Sequence, residues 1–195
     1  AMSKIVAAGG DYRKIRFTFQ EYFEKLGKDA TRWGKPLSAL LGAFWMQKEF
    51  GLASLGGKDS MSGTFKDMHV PPTIVSFAIT TENSDHIISP EFKQKGNYIY
   101  LIENKLENNT PNIKHTCEIF DFMRKNILDK KIVSAFTLQF GGIAEALAKM
   151  SFGNDFGFDI QTDKDLFAYG YGSFIVETTE KLNAPCAIEL GKVAD

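Results

Sequence analysis

The chain has 195 residues, of which 44% are hydrophobic and 13% aromatic, enough apolar material for a buried core. Its 23 Lys and Arg residues nearly balance its 24 Asp and Glu residues, so no net field would attract nucleic acid or an anionic membrane. No apolar run approaches the roughly 20 residues that cross a bilayer, and no secretion signal opens the chain. We therefore expect a soluble, cytoplasmic protein without nucleic-acid or membrane partners.

The cysteines and histidines exclude two further classes of site. Cys117 and Cys186 are far apart and predict no disulfide framework, and neither lies in the Gly-x-Cys-x-Gly turn of a glutamine-hydrolysing nucleophile. His69, His86 and His115 have no metal-ligand spacing among themselves. We therefore expect no metal centre and no glutaminase nucleophile in this chain.

The first part of the chain predicts two helices. Apolar residues from Phe19 to Leu26 recur at helical spacing and predict a helix that Gly27 ends. Pro36 suits the first turn of a second helix that runs to Phe50, and the apolar stripe of this helix is interpreted as core. The stripe consists of Leu37, Leu40, Leu41 and Phe44.

Arg32 and Trp33 precede the second helix in a predicted loop. The Arg32 guanidinium could clamp a phosphate or stack on the Trp33 indole. Alternatively, the side chain anchors the loop to a neighbouring sheet. The sequence leaves both interpretations open.

A glycine-rich run follows the second helix. Leu52 to Leu55 is predicted to be a short buried strand, Pro72 to Thr80 a second strand, and the run a loop between them. The run reads Gly56-Gly57-Lys58-Asp59-Ser60-Met61-Ser62-Gly63. Glycines let backbone N–H groups surround an anion, and the lysine and serine side chains add donors. Because the run is neither a P-loop nor a dinucleotide fingerprint, a phosphate cup and an ordinary polar turn both remain open.

The polar, non-periodic segment 81–86 indicates a subdomain boundary, which we place near Ser84. Beyond it the sequence predicts strands and helices in mixed order. They are a strand at 98–102, a polar loop at 103–112, a helix with an apolar face from Ile113 to Ile127, a strand at 131–140, a helix at 143–150, and strands at 156–160, 172–177 and 187–190. This order predicts a layered α+β subdomain with a mixed sheet.

A glycine pair, Gly141-Gly142, directly precedes the predicted helix at 143–150. Backbone N–H groups and the positive end of the helix dipole can receive an anion there. A close-packed strand-to-helix turn explains the pair equally well. Glu145 and Lys149, four residues apart on this helix, are interpreted as a surface ion pair without a catalytic role.

Several strings of residues together resemble the phosphoribosylformylglycinamidine synthase family, the ATP-dependent amidotransferases of purine biosynthesis. They are Arg32–Pro36, Leu40–Ala43, Gly56–Gly63, Val70–Ala78, Ile88–Phe92, Gly141–Ala146 and Met150–Asn154. The resemblance covers nearly the whole chain. The Gly-Gly-Lys-Asp-Ser-Met-Ser string is similar to the second of the two synthetase halves in the long, single-chain form of these enzymes. Because such enzymes are several times longer, the resemblance implies a fragment.

The resemblance implies an α+β fold similar to that of aminoimidazole ribonucleotide synthetase. Residues 1–84 would be the C-terminal portion of a truncated N-terminal α+β subdomain, and residues 85–195 a layered α/β C-terminal subdomain with a mixed sheet. Missing first strands would leave an open sheet edge at which a second copy can pair as a homodimer. The other implied partners are the missing synthetase half, the glutaminase domain and a ribonucleotide substrate.

The implied reaction converts formylglycinamide ribonucleotide, glutamine and ATP to formylglycinamidine ribonucleotide. ATP activates the formyl amide, and ammonia from the glutaminase displaces phosphate. ATP and magnesium are the implied cofactors of the full-length enzyme, whereas the fragment is expected to bind neither tightly and to be inactive alone. No residue of the fragment is assigned as catalytic.

The resemblance assigns substrate or phosphate contacts to the glycine run. In shorter relatives the matching loop reads Gly-Gly-Asn-Val-Ser, with its asparagine near magnesium and its serine near substrate phosphate. Ser60 inherits the serine role, and Gly56 and Gly57 match the glycines. Lys58 replaces the asparagine, and because a cation cannot ligate magnesium, it is expected to contact phosphate or to stand in for the metal. Asp59 either orients Lys58 or stabilises the turn.

The resemblance implies less about the second glycine pair, Gly141-Gly142. Many relatives have Asp-x-Ser-Asp-Gly-Gly here, a motif that binds nucleotide and metal, whereas Thr137 to Phe140 precede Gly141-Gly142 in this chain. Gln139, Gly141 and Gly142 are therefore candidate nucleotide-binding residues without the two carboxylates. The missing acids also favour a second hypothesis, in which this half is a non-catalytic scaffold or interface module.

Overall fold

The computed structural model describes residues 1–108 and 110–195. The α-helices are α1 (Met2–Ala7), α2 (Ala30–Phe50), α3 (Ile113–Leu128) and α4 (Gly142–Ser151). The strands are β1 (Arg16–Tyr22), β2 (Ser54–Ser60), β3 (Thr64–Phe65), β4 (Met68–His69), β5 (Thr73–Ile79), β6 (Tyr98–Ile102), β7 (Leu106–Glu107), β8 (Thr110–Pro111), β9 (Ile132–Thr137), β10 (Gly157–Ile160), β11 (Phe174–Thr178) and β12 (Ala187–Ala194). This mixture of helices and strands confirms the α+β class.

The chain divides into two compact units. The N-terminal unit consists of Arg13–Thr80 with Ala1, and the C-terminal unit consists of Met2–Tyr12 together with Thr81–Asp195. The division lies a few residues before the boundary expected near Ser84. It also places α1 with the C-terminal unit, which sequence patterns did not indicate.

The N-terminal unit contains a three-stranded mixed sheet in the order β2-β1-β5. The central strand, β1, pairs in parallel with β2 and antiparallel with β5. The helix predicted from Phe19 to Leu26 is therefore wrong, because the first half of this segment is hydrogen-bonded along both edges to other strands. Pairing with strands distant in sequence outweighs the local helical spacing of the aromatic residues. The strand predicted from Pro72 to Thr80 is confirmed as β5.

The second predicted helix is present as α2, but it begins at Ala30 and carries Pro36 in its interior. The Asp29 carboxylate caps it by accepting a 2.9 Å hydrogen bond from the Thr31 N–H. The interpretation of its apolar stripe as core is wrong, since the four side chains are 56–60% exposed. They are Leu37, Leu40, Leu41 and Phe44. Periodicity identifies an apolar face, but it does not tell what covers that face.

The C-terminal unit contains a five-stranded sheet in the order β10-β12-β6-β11-β9. Each of its ladders is antiparallel. The mixed sheet expected here therefore lies in the N-terminal unit instead. The order of elements did not reveal that β11 would insert between β6 and β9, so that α3 connects two strands that are not neighbours.

Helices cover both faces of this sheet. On one face, Ile143, Leu147 and Met150 of α4 pack in a buried cluster with β6 and β11 residues such as Leu101 and Ile175. Phe174 precedes Ile175 and so points to the other face, where its ring lies 6.0 Å from that of Phe120 in α3. The two predicted helices and the five strands of the C-terminal part are thus confirmed, with shifted ends.

The polar segment expected at 103–112 contains a short antiparallel hairpin, β7–β8. Asn109 of this segment lies outside the described residues. The hairpin precedes α3, which Asn112 caps by accepting a 3.0 Å hydrogen bond from the His115 N–H.

Candidate functional site

The glycine run does not form the expected loop. Gly56–Ser60 lie in β2, which is an edge strand of the N-terminal sheet and pairs with β1. The Ser60 carbonyl accepts a 2.7 Å hydrogen bond from the Phe23 N–H, so the pairing reaches the end of the run. The loop expected over Gly56–Ser60 is therefore wrong, because these residues form a strand whose alternate backbone groups are used by the sheet.

Gly57 is required by the sheet itself. It lies opposite Phe19 in β1, and a Cβ atom at this position would lie 2.4 Å from the Phe19 carbonyl oxygen. Real Cβ atoms do not approach a backbone oxygen so closely, so only glycine fits without displacing β1. Strand packing therefore explains this glycine without a ligand.

The strand arranges the side chains of the run on two faces. Lys58 and Ser60 are two residues apart and so project from the same face, which also carries Gln20 of β1 opposite Lys58. Asp59 projects from the other face, opposite Glu21, and lies in no turn. Burial and the nearby Asp59 carboxylate raise the pKa of Glu21. Lys58 and Ser60 can therefore contact one ligand together, whereas Asp59 faces away from both.

Arg32 lies in the first turn of α2 and not in a loop. Its guanidinium donates to the Lys25 carbonyl at 2.9 Å, and its Nε lies 3.4 Å from the carboxylate of Glu24. Glu24 is only 5% exposed, and its pKa is lowered by a hydrogen bond from Lys35 and by the charge of Arg32. The Trp33 indole N–H donates separately to the Gly27 carbonyl at 3.1 Å. Through these contacts Arg32 anchors the segment before α2, which is one of the two roles expected for this residue.

A shallow, open pocket of about 480 Å³ lies in the same unit. It is lined by Ser62, Gly63, Thr64, Phe65, Met68, His69 and Val70. The His69 Nδ1 lies 3.0 Å from the Thr64 hydroxyl and 3.7 Å from the Glu24 carboxylate. Sequence patterns gave no sign of this cluster, because Glu24 fell within the segment predicted as a helix.

The second candidate position, before α4, is a closed turn. The Gly141 N–H donates to the Glu145 carboxylate at 2.9 Å, and the Ala144 N–H donates to the Leu166 carbonyl at 2.9 Å. The Gly142 N–H donates to the Gln139 carbonyl at 3.1 Å. A carboxylate of the chain itself thus occupies part of the position expected for an anion.

The same turn is close-packed. Gly142 has a φ of 63°, and a Cβ atom there would lie 2.6 Å from two carbonyl oxygens of the segment 166–168. The ion pair predicted between Glu145 and Lys149 is present at 2.5 Å, and Lys149 together with the Gly141 N–H lowers the pKa of Glu145. Phe140, within this turn, is 84% exposed. Because Thr137 to Phe140 supply no carboxylate, these residues do not fit a magnesium ion.

Two kinds of feature are absent from the described ranges, 1–108 and 110–195. No three His, Cys, Asp or Glu side chains there are grouped so that they could hold a metal ion. No helix in these ranges combines the length and apolar character needed to span a membrane.

Comparison with known proteins shows what the fold is similar to. No protein-family model matches the chain. Phosphoribosylformylglycinamidine synthase II from Thermotoga maritima matches with a TM-score of 0.67 and 15% identity, over 100% of this chain and 31% of that one. PurL of the same organism, complexed with ATP, matches with a TM-score of 0.69 and 11% identity, over 100% of this chain and 36% of that one.

Thiamine monophosphate kinase from Aquifex aeolicus has the same fold, with a TM-score of 0.65 and 11% identity over 100% of this chain and 74% of the kinase. The chain spans about a third of the length of the synthase structures that it matches. The chain thus has the fold of the proteins similar to aminoimidazole ribonucleotide synthetase, as the resemblance in the sequence implied.

Proposed function

We propose that this chain is part of a phosphoribosylformylglycinamidine synthase, the ATP-dependent ligase that forms formylglycinamidine ribonucleotide. In this proposal it supplies the second synthetase half, with residues 1–84 and 85–195 as the two subdomains. The observation that supports it most is the Gly-Gly-Lys-Asp-Ser-Met-Ser string, which begins on an edge strand. The fold that carries this string is similar to that of the synthase over the entire chain.

Lys58 and Ser60 are the residues proposed to contact phosphate. They project from the same face of β2, and Lys58 is exposed. An ammonium and a hydroxyl on one face can neutralise and orient phosphate oxygens together, which is what phosphoryl chemistry requires of its surroundings. ATP and magnesium are proposed for the full-length enzyme, with the metal held by residues outside Thr137–Phe140.

A second function, a non-catalytic scaffold, is supported by the turn before α4. The Gly141 N–H donates to the carboxylate of Glu145, and the preceding residues lack the carboxylates of the family motif. In that case the glycine run shapes an interface and contacts no substrate. The proposed partners of the chain under both functions are the remaining synthetase half and the glutaminase domain, and the proposed location is the cytoplasm.

The two functions are separated by Lys58→Ala and Ser60→Ala in the full-length enzyme. Loss of a hydrogen bond to a charged group costs about 1.5–3 kcal/mol, so the ligase proposal expects kcat/KM for the ribonucleotide to fall about 10- to 100-fold in each variant. The scaffold function expects changes below about twofold. Lys28→Ala, an exposed lysine in the same unit, is the matched control.

Activity of the chain alone is the second test. Incubation of the purified chain with ATP, ammonia and formylglycinamide ribonucleotide should yield no product, because the proposal assigns it no catalytic residue. Formation of formylglycinamidine ribonucleotide would contradict the view that partner segments complete the site.

A further inference from the structure

The helix α2 exposes a continuous row of large apolar side chains, which we call the α2 stripe. Its members are Trp33, Leu37, Leu40, Leu41, Phe44 and Trp45, and each is 40–60% exposed. Only Pro36 of this 21-residue helix is buried. So large an apolar surface on one helix indicates an interface, since scattered single residues would be the norm on a solvated face.

The spacing of the stripe is that of paired helices. Trp33, Leu37, Leu40 and Phe44 follow each other at steps of four, three and four, the 3.5-residue repeat of a seam between two helices. Leu41 and Trp45 widen the seam on one side. A helix of 21 residues is about 30 Å long, so the seam extends over most of its length.

We infer that the α2 stripe is the interface with a second copy of this chain, in which two α2 helices pack antiparallel across a two-fold axis. At roughly 100–200 Å² for each side chain, the exposed halves of the six members offer on the order of 500 Å². Two copies would therefore bury on the order of 1,000 Å², the lower limit for a specific interface. A self-complementary patch of this kind is the usual basis of a two-fold dimer.

Charge selects the antiparallel direction. Lys48 follows Phe44 by four residues and so continues the seam at the C-terminal end of α2. In a parallel pair the two Lys48 ammonium groups would meet. In an antiparallel pair centred between Leu40 and Leu41, Lys48 instead approaches the partner's Trp33, where a cation can lie over the indole ring.

This dimer differs from pairing through the open sheet edge. Its interface is the α2 stripe and includes no backbone group of β2 or β5, so it does not depend on the ligase or scaffold function. A substitution on α2 therefore distinguishes the two kinds of association.

The test is sedimentation velocity of the purified chain from about 1 to 100 μM. We expect a dimer in the wild type and at least a tenfold higher dissociation constant in Leu40→Asp, because burial of a carboxylate in an apolar seam is strongly unfavourable. Gly42→Asp is the matched control: two residues further along, it points to the opposite side of α2, and a Cβ atom there meets nothing within 4 Å. Circular dichroism of both variants verifies that they fold.

Lys48→Ala tests the direction of packing. The antiparallel pair loses a cation–π contact and is expected to dissociate about two- to fivefold more readily, whereas a parallel pair would tighten. A wild type that stays monomeric at 100 μM would overturn the inference. It would also be overturned if Leu40→Asp folds and still forms the dimer, since that result would indicate pairing through the sheet edge.

Discussion

The guanidinium of Arg124 donates a 2.7 Å hydrogen bond to the carboxylate of Glu82, and both side chains lie within the C-terminal unit. Arg124 also donates to the Gly9 carbonyl at 3.0 Å, and the His86 Nδ1 lies 2.9 Å from Glu82. The pair thus joins α3 to the segment after α1 and to the segment after β5. Hydrogen bonds from Arg124 and His86 lower the pKa of Glu82 to about 2.

Arg124→Met is expected to destabilise the C-terminal unit. It removes charge-assisted hydrogen bonds to Glu82 and Gly9 and leaves a carboxylate that is only 6% exposed without its main donor. We expect the free energy of unfolding, measured by urea titration, to fall by about 1.5–3 kcal/mol. Lys125→Met, on the exposed side of the same helix, should change it by less than about 0.5 kcal/mol. Equal losses of stability in both variants would show that the contacts of Arg124 with Glu82 and Gly9 do not cause the loss.

The acid stability of the unit should depend on Glu82. The pKa of Glu82 is lowered from 4.5 to about 2 on folding. The ionised carboxylate therefore contributes to the free energy of unfolding above pH 4.5, and this contribution is lost as the pH falls towards 2. The stability difference between wild type and Glu82→Gln should therefore be largest near neutral pH and shrink over this window. Unfolding by urea at several pH values measures it, with Glu118→Gln, an exposed position, as control. A difference that does not change between pH 6 and pH 2.5 would contradict the assignment.

Glu177→Gln should loosen the segment before β6. The buried Glu177 carboxylate accepts hydrogen bonds from the Lys93 N–H at 2.7 Å, the Gln94 N–H at 3.0 Å and the Asn97 side-chain amide at 2.7 Å. A glutamine would turn its own N–H groups towards one or more of these donors, at a cost of about 1–3 kcal/mol. Hydrogen exchange should then accelerate at residues 93 and 94. Unchanged exchange there would show that the carboxylate does not hold this segment.

Gly57→Ala and Gly42→Ala should have opposite effects. At Gly57 the added methyl group meets the Phe19 carbonyl oxygen at 2.4 Å, so we expect a loss of about 1–3 kcal/mol from strain in the sheet. At Gly42, inside α2, the methyl group meets nothing within 4 Å, and the gain in helix propensity should stabilise by up to about 1 kcal/mol. Thermal unfolding of both variants measures the contrast. A neutral Gly57→Ala would mean that this glycine has another role.

The C-terminal unit was predictable because local patterns and tertiary structure agree there. The apolar run Tyr98–Ile102 is a buried central strand, and the helical spacing from Ile113 to Ile127 corresponds to α3. The N-terminal unit was less predictable. The aromatic residues around Phe19 have helical spacing, yet β1 is a strand because two other strands pair with it.

The geometry of the candidate site was not predictable from the sequence. Glycines between two predicted strands suggest a loop, but Gly57 is present because it allows β2 to approach Phe19. Arg32 acts as an anchor because it contacts Glu24. The predicted elements keep these two residues apart, and they become neighbours only after β1 and α2 have formed. No local pattern carries such a contact.

The C-terminal unit is discontinuous along the gene, since Met2–Tyr12 precedes the whole N-terminal unit. An expression plasmid that starts at Thr81 would omit the buried residues Val6 and Ala7 together with the carbonyl of Gly9 that Arg124 binds. To produce this unit by itself, the codons for residues 2–12 must be fused through a linker to those for residues 81–195. A chain truncated at a single point would instead lack some of its own core residues.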